Sequence, residues 1–174
     1  MARTQNKKVN SEEIYWCKQI QSPLGVLELV ANENSLTMVL IETDSRDQFN
    51  KLTLKDGRHH KVLQAAEKQL NEYFLGRRKT FDLPLELKGT EFQKQVWNQL
   101  LKIPYGKHIT YGFQAAQIGR PKAVRAVGAS NGKNPIPIIV PCHRVIGSSG
   151  ALIGYAGGLP VKRFLLKLEG VDLK

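Results

Sequence analysis

The segment Pro141-Cys-His-Arg144 places a thiol, an imidazole and a guanidinium in consecutive positions. A free thiol has a pKa of about 8.5, so a nucleophilic cysteine needs a base or a positive charge close by. The two residues that follow Cys142 offer both. Adjacent side chains on an extended strand point to opposite faces, so His143 can serve Cys142 only if the chain bends there or a water bridges them. Pro141 and the glycines downstream favour a bend.

A third group should orient the histidine, and only Glu169 and Asp172 follow Cys142 as acids. Other cysteine chemistries fit less well. Cys17 and Cys142 are too few for a disulfide framework or a zinc finger, and the second cysteine of a zinc nucleobase deaminase is missing. Gly147-Ser-Ser-Gly150 does not match a nucleotide-binding loop. The triplet alone leaves open an inert buried cysteine.

The elements after residue 89 predict a helical unit. Thr90-Glu-Phe-Gln93 forms a capping box that opens a helix. A short helix over 110–118, a turn at Gly119-Arg120 and a helix from Pro121 to about Asn131 indicate a helix-turn-helix. The continuous apolar run 136–140 predicts a buried strand or an extended segment. The first helix has an apolar face made of Phe92, Val96, Trp97, Leu100 and Leu101.

The elements before residue 89 predict a separate α/β unit. Alternating residues over 15–44 predict three short antiparallel strands, and 61–74 has the spacing of a helix. Residues 1–10 are expected to be disordered, and 81–89 to be a linker. The fold class is therefore α+β: an N-terminal α/β domain over 1–86 with a small antiparallel sheet, and a C-terminal helical, winged-helix-like domain over 87–174.

The charge distribution favours a polyanionic partner. The formal net charge is +11, and the last 64 residues hold nine Lys or Arg against two acids. The helix after the turn carries small residues around Arg125, its one long central side chain, which favours sequence-tolerant, minor-groove binding. The alternatives are a basic surface without function and a helix whose small residues only serve packing. The polar start and the lack of an apolar run of about 20 residues indicate no membrane partner and a reducing, cytoplasmic location.

The segment Pro141-Cys-His-Arg-Val145 resembles the signature of the O6-alkylguanine-DNA alkyltransferases, the methylated-DNA–protein-cysteine methyltransferases. The resemblance covers about the last 85 residues in order. Residues before Gly89 resemble the family's variable N-terminal domain only in length and element order. The segments that carry the resemblance are Gly89-Thr-Glu-Phe-Gln93, Ile103-Pro-Tyr-Gly106, Arg125-Ala-Val-Gly128, Asn134-Pro135, Gly154-Tyr-Ala-Gly-Gly158 and Leu168-Glu-Gly170.

The resemblance implies direct DNA repair by a single irreversible transfer. An alkyl group on O6 of guanine, and also on O4 of thymine in this expectation, would pass to Cys142. His143 would act as the base through a water and Glu169 would orient it. Tyr111 would protonate N3 of the departing guanine, and Asn134 would brace the segment before the cysteine. Taken singly, each of these residues also has an ordinary structural interpretation.

The resemblance also implies a DNA surface and a base pocket, with no cofactor and no metal. The expected partner is double-stranded DNA bound by a monomer, with the damaged base flipped out and Arg125 filling the gap. The other expected DNA contacts are Arg120, Gly112, Ser148 and Ala126, and the expected pocket is formed by Tyr155, Ala156, Gly157, Val145 and Pro137. Some members carry serine where Ala156 stands, so the backbone must make that contact here. Two rival functions remain, a non-catalytic lesion-binding protein and a cysteine hydrolase.

Overall fold

The computed structural model describes residues 13–42 and 51–172, so the disorder expected for residues 1–10 lies outside the described residues. Three strands, β1 (Tyr15–Ser22), β2 (Gly25–Ala31) and β3 (Leu36–Ile41), pair antiparallel in sequence order. This confirms the three predicted strands. A short fourth strand, β4 (Leu54–Asp56), pairs parallel to β1 and gives the order β3-β2-β1-β4. Its three residues are too few and too polar to show a strand pattern.

The helix α1 (Lys61–Phe74) has the predicted bounds and packs against this sheet. Its apolar side chains recur every three or four residues, so they lie on one face of the helix. The buried residues Leu63, Ala66, Leu70 and Tyr73 belong to the same hydrophobic core as the inner side chains of the sheet. The last of these faces the C-terminal half of the molecule.

The helix α2 (Glu91–Leu100) begins with the predicted capping box. The Thr90 hydroxyl accepts from the Gln93 N–H, and the Gln93 side chain accepts from the Thr90 N–H at 2.9 Å. Val96, Trp97 and Leu100 are buried as expected. The assignment of Leu101 to the buried face was wrong: it is 45% exposed because the helix ends there and the chain turns away.

Two helices, α3 (Tyr111–Gln117) and α4 (Val124–Asn131), form the predicted helix-turn-helix. The assignment of Pro121 to the first position of the second helix was wrong. Residues 120–123 instead form a turn, closed by the Ala123 N–H on the Arg120 carbonyl at 2.9 Å, and α4 begins after it.

Buried amides fix this pair of helices on α2. The Asn131 side chain donates to Gln114 Oε1 at 2.8 Å, and the Gln114 side chain donates to the Val96 carbonyl at 3.1 Å. The Trp97 indole donates to the Ser130 carbonyl at 2.8 Å. Because unsatisfied polar groups are costly in a core, these bonds select one packing of the helices.

The run 136–140 is buried, but the strand predicted for it is wrong. It forms a compact turn in which the Val140 N–H donates to the Ile136 carbonyl at 2.9 Å. Ile138 has a φ of 75°, a left-handed conformation that is strained for a β-branched residue and incompatible with an extended strand. Prolines at 135, 137 and 141 also remove three backbone donors that a strand would use.

The last elements return the chain to the start of α3. A two-residue strand β6 (Val145–Ile146) pairs parallel with β5 (Ile109–Thr110), and α5 (Leu159–Leu168) follows. The N-terminal sheet contacts the compact turn, since the Val39 N–H donates to the Pro135 carbonyl at 2.9 Å. Within the described ranges, no helix combines the length and hydropathy that a membrane crossing requires.

Candidate active site and nucleic-acid interface

Cys142 is buried at the start of a 3₁₀ turn, Cys142–Arg144, and an asparagine amide contacts its sulfur. The Asn134 Nδ2 group donates to Cys142 Sγ at 3.2 Å and to the Val140 carbonyl at 2.7 Å. Its Oδ1 accepts from the Ile136 N–H at 3.1 Å. One side chain therefore ties both ends of the compact turn and gives the sulfur a donor that stabilises a thiolate.

His143 is fully buried and bonds to Glu169, with Nε2 donating to Oε1 at 2.8 Å. Successive side chains on a 3₁₀ turn are about 120° apart, so His143 is not forced to the face opposite Cys142 as it would be on a strand. Burial lowers the pKa of His143, outweighing the hydrogen bond and charge of Glu169, and the ring is neutral at neutral pH. Nδ1 has no hydrogen-bond partner in the described part of the chain, so its lone pair is free to take a proton.

Glu169 lies at the C-terminus of α5 and accepts from four residues. Burial alone would raise the pKa of its carboxyl, but the donors from His143 and Arg144 hold that pKa at about 2. The Gly106 N–H adds a bond at 3.2 Å, and the Tyr73 hydroxyl adds one at 2.8 Å. The carboxylate is therefore ionised and fixed in orientation, which in turn holds Nε2 of His143 protonated and Nδ1 unprotonated.

Arg144, which the sequence offered as a positive charge for Cys142, uses its guanidinium to bind Glu169. Its Nε and Nη2 atoms both donate to the carboxylate at 2.9 Å, and Nη1 donates to the Ile103 carbonyl at 2.5 Å. A bidentate pair of this kind is geometrically specific. No sequence signal connected Arg144 to a residue 25 positions away.

Tyr111 opens α3, and its hydroxyl donates to the Ile153 carbonyl at 3.0 Å. Burial, together with the charge of Cys142, raises its pKa to about 12. Beside it lies a lysine that the sequence analysis missed: Lys162 is buried, with Nζ 2.8 Å from the Ile153 carbonyl and 3.4 Å from the Tyr111 hydroxyl. Burial lowers the pKa of Lys162 to about 8. Its helical spacing to Leu165 and Leu166, both in the core, was the available signal.

The expected pocket residues fall into two groups. Pro137 and Val145 are buried next to the cysteine in sequence, whereas Tyr155 is half-buried and Ala156 is exposed. Gly157 is buried, and a Cβ at this position would lie 3.2 Å from Cδ1 of Ile41 in β3. The loop 154–158 is therefore packed closely against the N-terminal sheet, and a side chain at position 157 would force its neighbours to shift by a few tenths of an ångström.

The residues expected to contact DNA are all exposed to solvent. Arg120 lies over the Phe92 ring, with 5.7 Å between guanidinium and ring centre. The description of Arg125 as central in its helix was wrong: because α4 begins at Val124, Arg125 lies in the first turn. We call these exposed residues the recognition surface: Gly112, Arg120, Arg125, Ala126 and Ser148. We call the buried polar residues the thiol cluster: Asn134, Cys142, His143, Arg144 and Glu169.

The fold and the site together define a class of protein, one that combines a buried cysteine bonded to a side-chain amide with a helix-turn-helix. Comparison with known families is specific about which one. Residues 15–87 match the ribonuclease-like domain of 6-O-methylguanine DNA methyltransferase, and residues 91–171 match its DNA binding domain. The chain belongs to the 6-O-methylguanine DNA methyltransferase family.

Individual relatives agree over most of their length. A methylated-DNA–protein-cysteine methyltransferase of Methanosarcina acetivorans is 49% identical over 86% of this chain and 95% of its own. The constitutive enzyme of that name from Bacillus subtilis is 46% identical over 88% of this chain and 94% of its own. The crystal structure of Mycobacterium tuberculosis OGT in complex with DNA superposes with a TM-score of 0.79, at 48% identity, covering 90% of this chain and 92% of the other.

Proposed function

We propose that this protein repairs DNA by moving the alkyl group of O6-alkylguanine onto its own Cys142. We propose O4-alkylthymine as a second substrate of the same transfer. The observation that carries the proposal is the environment of the thiol. A side-chain amide donates to Cys142 Sγ, and the neighbouring imidazole has a free Nδ1 and an Nε2 held by an ionised carboxylate. These groups can fill the three roles that nucleophilic catalysis requires, a nucleophile, a base and a group that orients the base.

The transfer begins with the thiol proton, which passes to Nδ1 of His143 through a water. The Cys142 thiolate then attacks the alkyl carbon, a C–S bond forms and the O6–C bond breaks with its electron pair left on guanine. Tyr111 gives a proton to N3 of that anion. Its pKa of about 12 keeps the phenol protonated before the transfer, and the nearby Lys162 ammonium favours release of the proton because it stabilises the phenolate that forms.

The reaction stops after one event on each protein molecule. The product is a thioether, which has no leaving group that a neighbouring base or water displaces under mild conditions. The thiol cluster holds one cysteine, and Cys17 lies in β1 of the N-terminal sheet. We therefore expect a stoichiometric transfer without a cofactor, and no residue of the cluster is assigned to regenerate Cys142.

We further propose that a monomer binds duplex DNA by its minor groove through the recognition surface. The small exposed residues of α4 allow close approach, and Arg125 occupies the space that a flipped base leaves. The division into domains 1–86 and 87–174 assigns DNA contact to the second domain and support of the pocket to the first. We place the protein in the cytoplasm with access to DNA, where a thiol stays reduced.

The decisive experiment follows a labelled alkyl group. Duplex DNA with a radiolabelled methyl on O6 of one guanine is mixed with the protein, and the digested protein is mapped. We expect the label on the peptide that contains Cys142, with Cys17→Ser behaving as wild type. Label that stays on DNA despite tight binding would indicate the lesion-binding rival, and label released as a small molecule over many cycles would indicate the hydrolase rival.

A further inference from the structure

Tyr73 belongs to α1 in the N-terminal half, yet its hydroxyl reaches the thiol cluster. It donates to Glu169 Oε1 at 2.8 Å across 96 positions of sequence. The same oxygen accepts from His143 Nε2 at 2.8 Å. We propose that Tyr73 is a positioning residue for the alkyl transfer, which fixes the Glu169 carboxylate and so sets the orientation and proton affinity of His143. This inference rests on the proposed function for its kinetic readout.

The packing around Tyr73 explains its ring but not its hydroxyl. The ring lies 5.5 Å from Phe74, 5.4 Å from Phe81 and 6.1 Å from Tyr105, measured between ring centres. A phenylalanine would fill the same space in this aromatic group. A buried hydroxyl without a partner is costly, so the chain gains from the hydroxyl only through the bond to Glu169.

The hydroxyl is a permanent donor. Burial, reinforced by the negative charge of Glu169, raises the pKa of Tyr73 far above its ordinary value. The phenol is therefore neutral at neutral pH and well above it. Its only possible role toward an ionised carboxylate is to donate a hydrogen bond.

Loss of this donor has a defined consequence for His143. Oε1 would keep His143 Nε2 and Arg144 Nη2 but would carry more negative charge. That charge stabilises an imidazolium, so the pKa of His143 rises and the neutral base is lost at a higher pH. The Glu169 carboxylate also loses one of the hydrogen bonds that fix its orientation. We expect slower transfer, and we expect the fall in rate on the acid side of the pH profile to occur at a higher pH.

The test compares two tyrosine-to-phenylalanine variants. Tyr73→Phe removes the hydroxyl on Glu169, and Tyr105→Phe removes a neighbouring hydroxyl that donates to the Leu168 carbonyl at 3.0 Å. We expect Tyr73→Phe to slow transfer roughly tenfold and to raise the low-pH limb, because one hydrogen bond to a charged group is lost. Tyr105→Phe should change the rate less than about twofold and leave the limb in place. Equal effects of the two variants, or an unmoved limb in Tyr73→Phe, would overturn the proposal.

A double variant separates positioning from general support. If Tyr73 acts through Glu169, adding Tyr73→Phe to Glu169→Gln should slow transfer less than about twofold further. A full tenfold addition would mean that the hydroxyl acts elsewhere, and the proposal would be wrong.

Two measurements on histidine test the proposal in other ways. The first uses only wild-type protein, so it does not depend on the folding of a variant, and the second does not depend on alkyl transfer. In wild-type protein with ¹⁵N-labelled histidine, the Tyr73 hydroxyl proton should show a nuclear Overhauser effect to the Nε2 proton of His143, and its absence would refute the contact. The pKa of His143 read by titration should rise in Tyr73→Phe. If the pKa of His143 rises in Tyr73→Phe but the wild-type protein transfers no alkyl group, the proposed function is rejected, whereas the effect of Tyr73 on His143 is supported.

Discussion

The thiol cluster and the recognition surface differ in how firmly their side chains are held. In the cluster, Glu169 accepts bonds from four residues and His143 is fully buried, so each group is fixed before a substrate arrives. On the surface, Arg125 is exposed on a helix of small residues. Bond-breaking benefits from charges fixed in a dry site, whereas binding to any DNA sequence benefits from side chains that adapt.

This comparison predicts its largest effect at the sulfur. Cys142→Ser should abolish transfer, by more than about a thousandfold, because a hydroxyl is far less ionised than a thiol. Binding to alkylated duplex should remain within about threefold of wild type, since the recognition surface is separate. Single-turnover rates measure the effect on transfer, and gel-shift affinities measure the effect on binding. Loss of binding equal to the loss of transfer would show that the two regions are not separable.

Glu169→Gln should slow transfer roughly a hundredfold, the upper range for groups that orient a reacting partner. The amide has an NH2 donor in place of one acceptor oxygen, so it cannot accept from His143, Arg144, Gly106 and Tyr73 together. Single-turnover rates from pH 5 to 9 provide the measurement. A variant that reacts at the wild-type rate would remove Glu169 from the mechanism.

Acid should weaken the fold through the same carboxylate. The pKa of Glu169 in the folded protein is about 2, below the ordinary 4.5, so its contribution is complete above pH 4.5 and is lost as the pH falls toward 2. The loss is on the order of 3 kcal/mol in the free energy of unfolding. The lowered pKa of His143 adds a loss that begins below about pH 6.5.

Denaturant unfolding at several pH values tests this. The stability difference between wild type and Glu169→Gln should shrink as the pH drops from 5 to 2.5. A difference that stays constant over this range would mean that the carboxylate is not held ionised by its donors.

The smallest of these effects belongs to the recognition surface. Arg125→Ala should slow transfer from duplex DNA about tenfold, because flipping a base costs a few kcal/mol that an inserted side chain offsets. Transfer from free O6-alkylguanine base should change little. Lys122→Ala, an exposed residue three positions earlier in the turn before α4, serves as a control for lost charge. An equal loss on both substrates would make Arg125 a structural residue.

The sequence predicted local structure well wherever one periodicity applied. The strands β1 to β3, α1 and the capping box of α2 followed from alternation, helical spacing and a known cap. The run 136–140 defeated the same reasoning, because its apolar residues are buried in a turn that depends on Asn134 and a strained Ile138. Composition shows that a segment is buried, but not whether it is extended.

Some residues of the candidate site could be named from the sequence, and others could not. Cys142, His143 and Glu169 were named from residue type and family resemblance, and the structure brings the last two into contact. Tyr73 and Lys162 were not named, and for Tyr73 the reason is that its partner lies 96 positions away in the chain. A buried lysine at helical spacing in α5 was a readable anomaly, whereas a tyrosine in the amphipathic pattern of α1 was indistinguishable from a core residue.

In the proposed reaction, Cys142 accepts one alkyl group and keeps it. Intact protein should be incubated with a large excess of duplex containing O6-methylguanine and followed by mass spectrometry until the reaction stops. We expect a gain of a single methyl group per protein molecule, mapped to Cys142, with unreacted lesion left over. Complete repair of the excess, or methyl groups on Cys17, would contradict it.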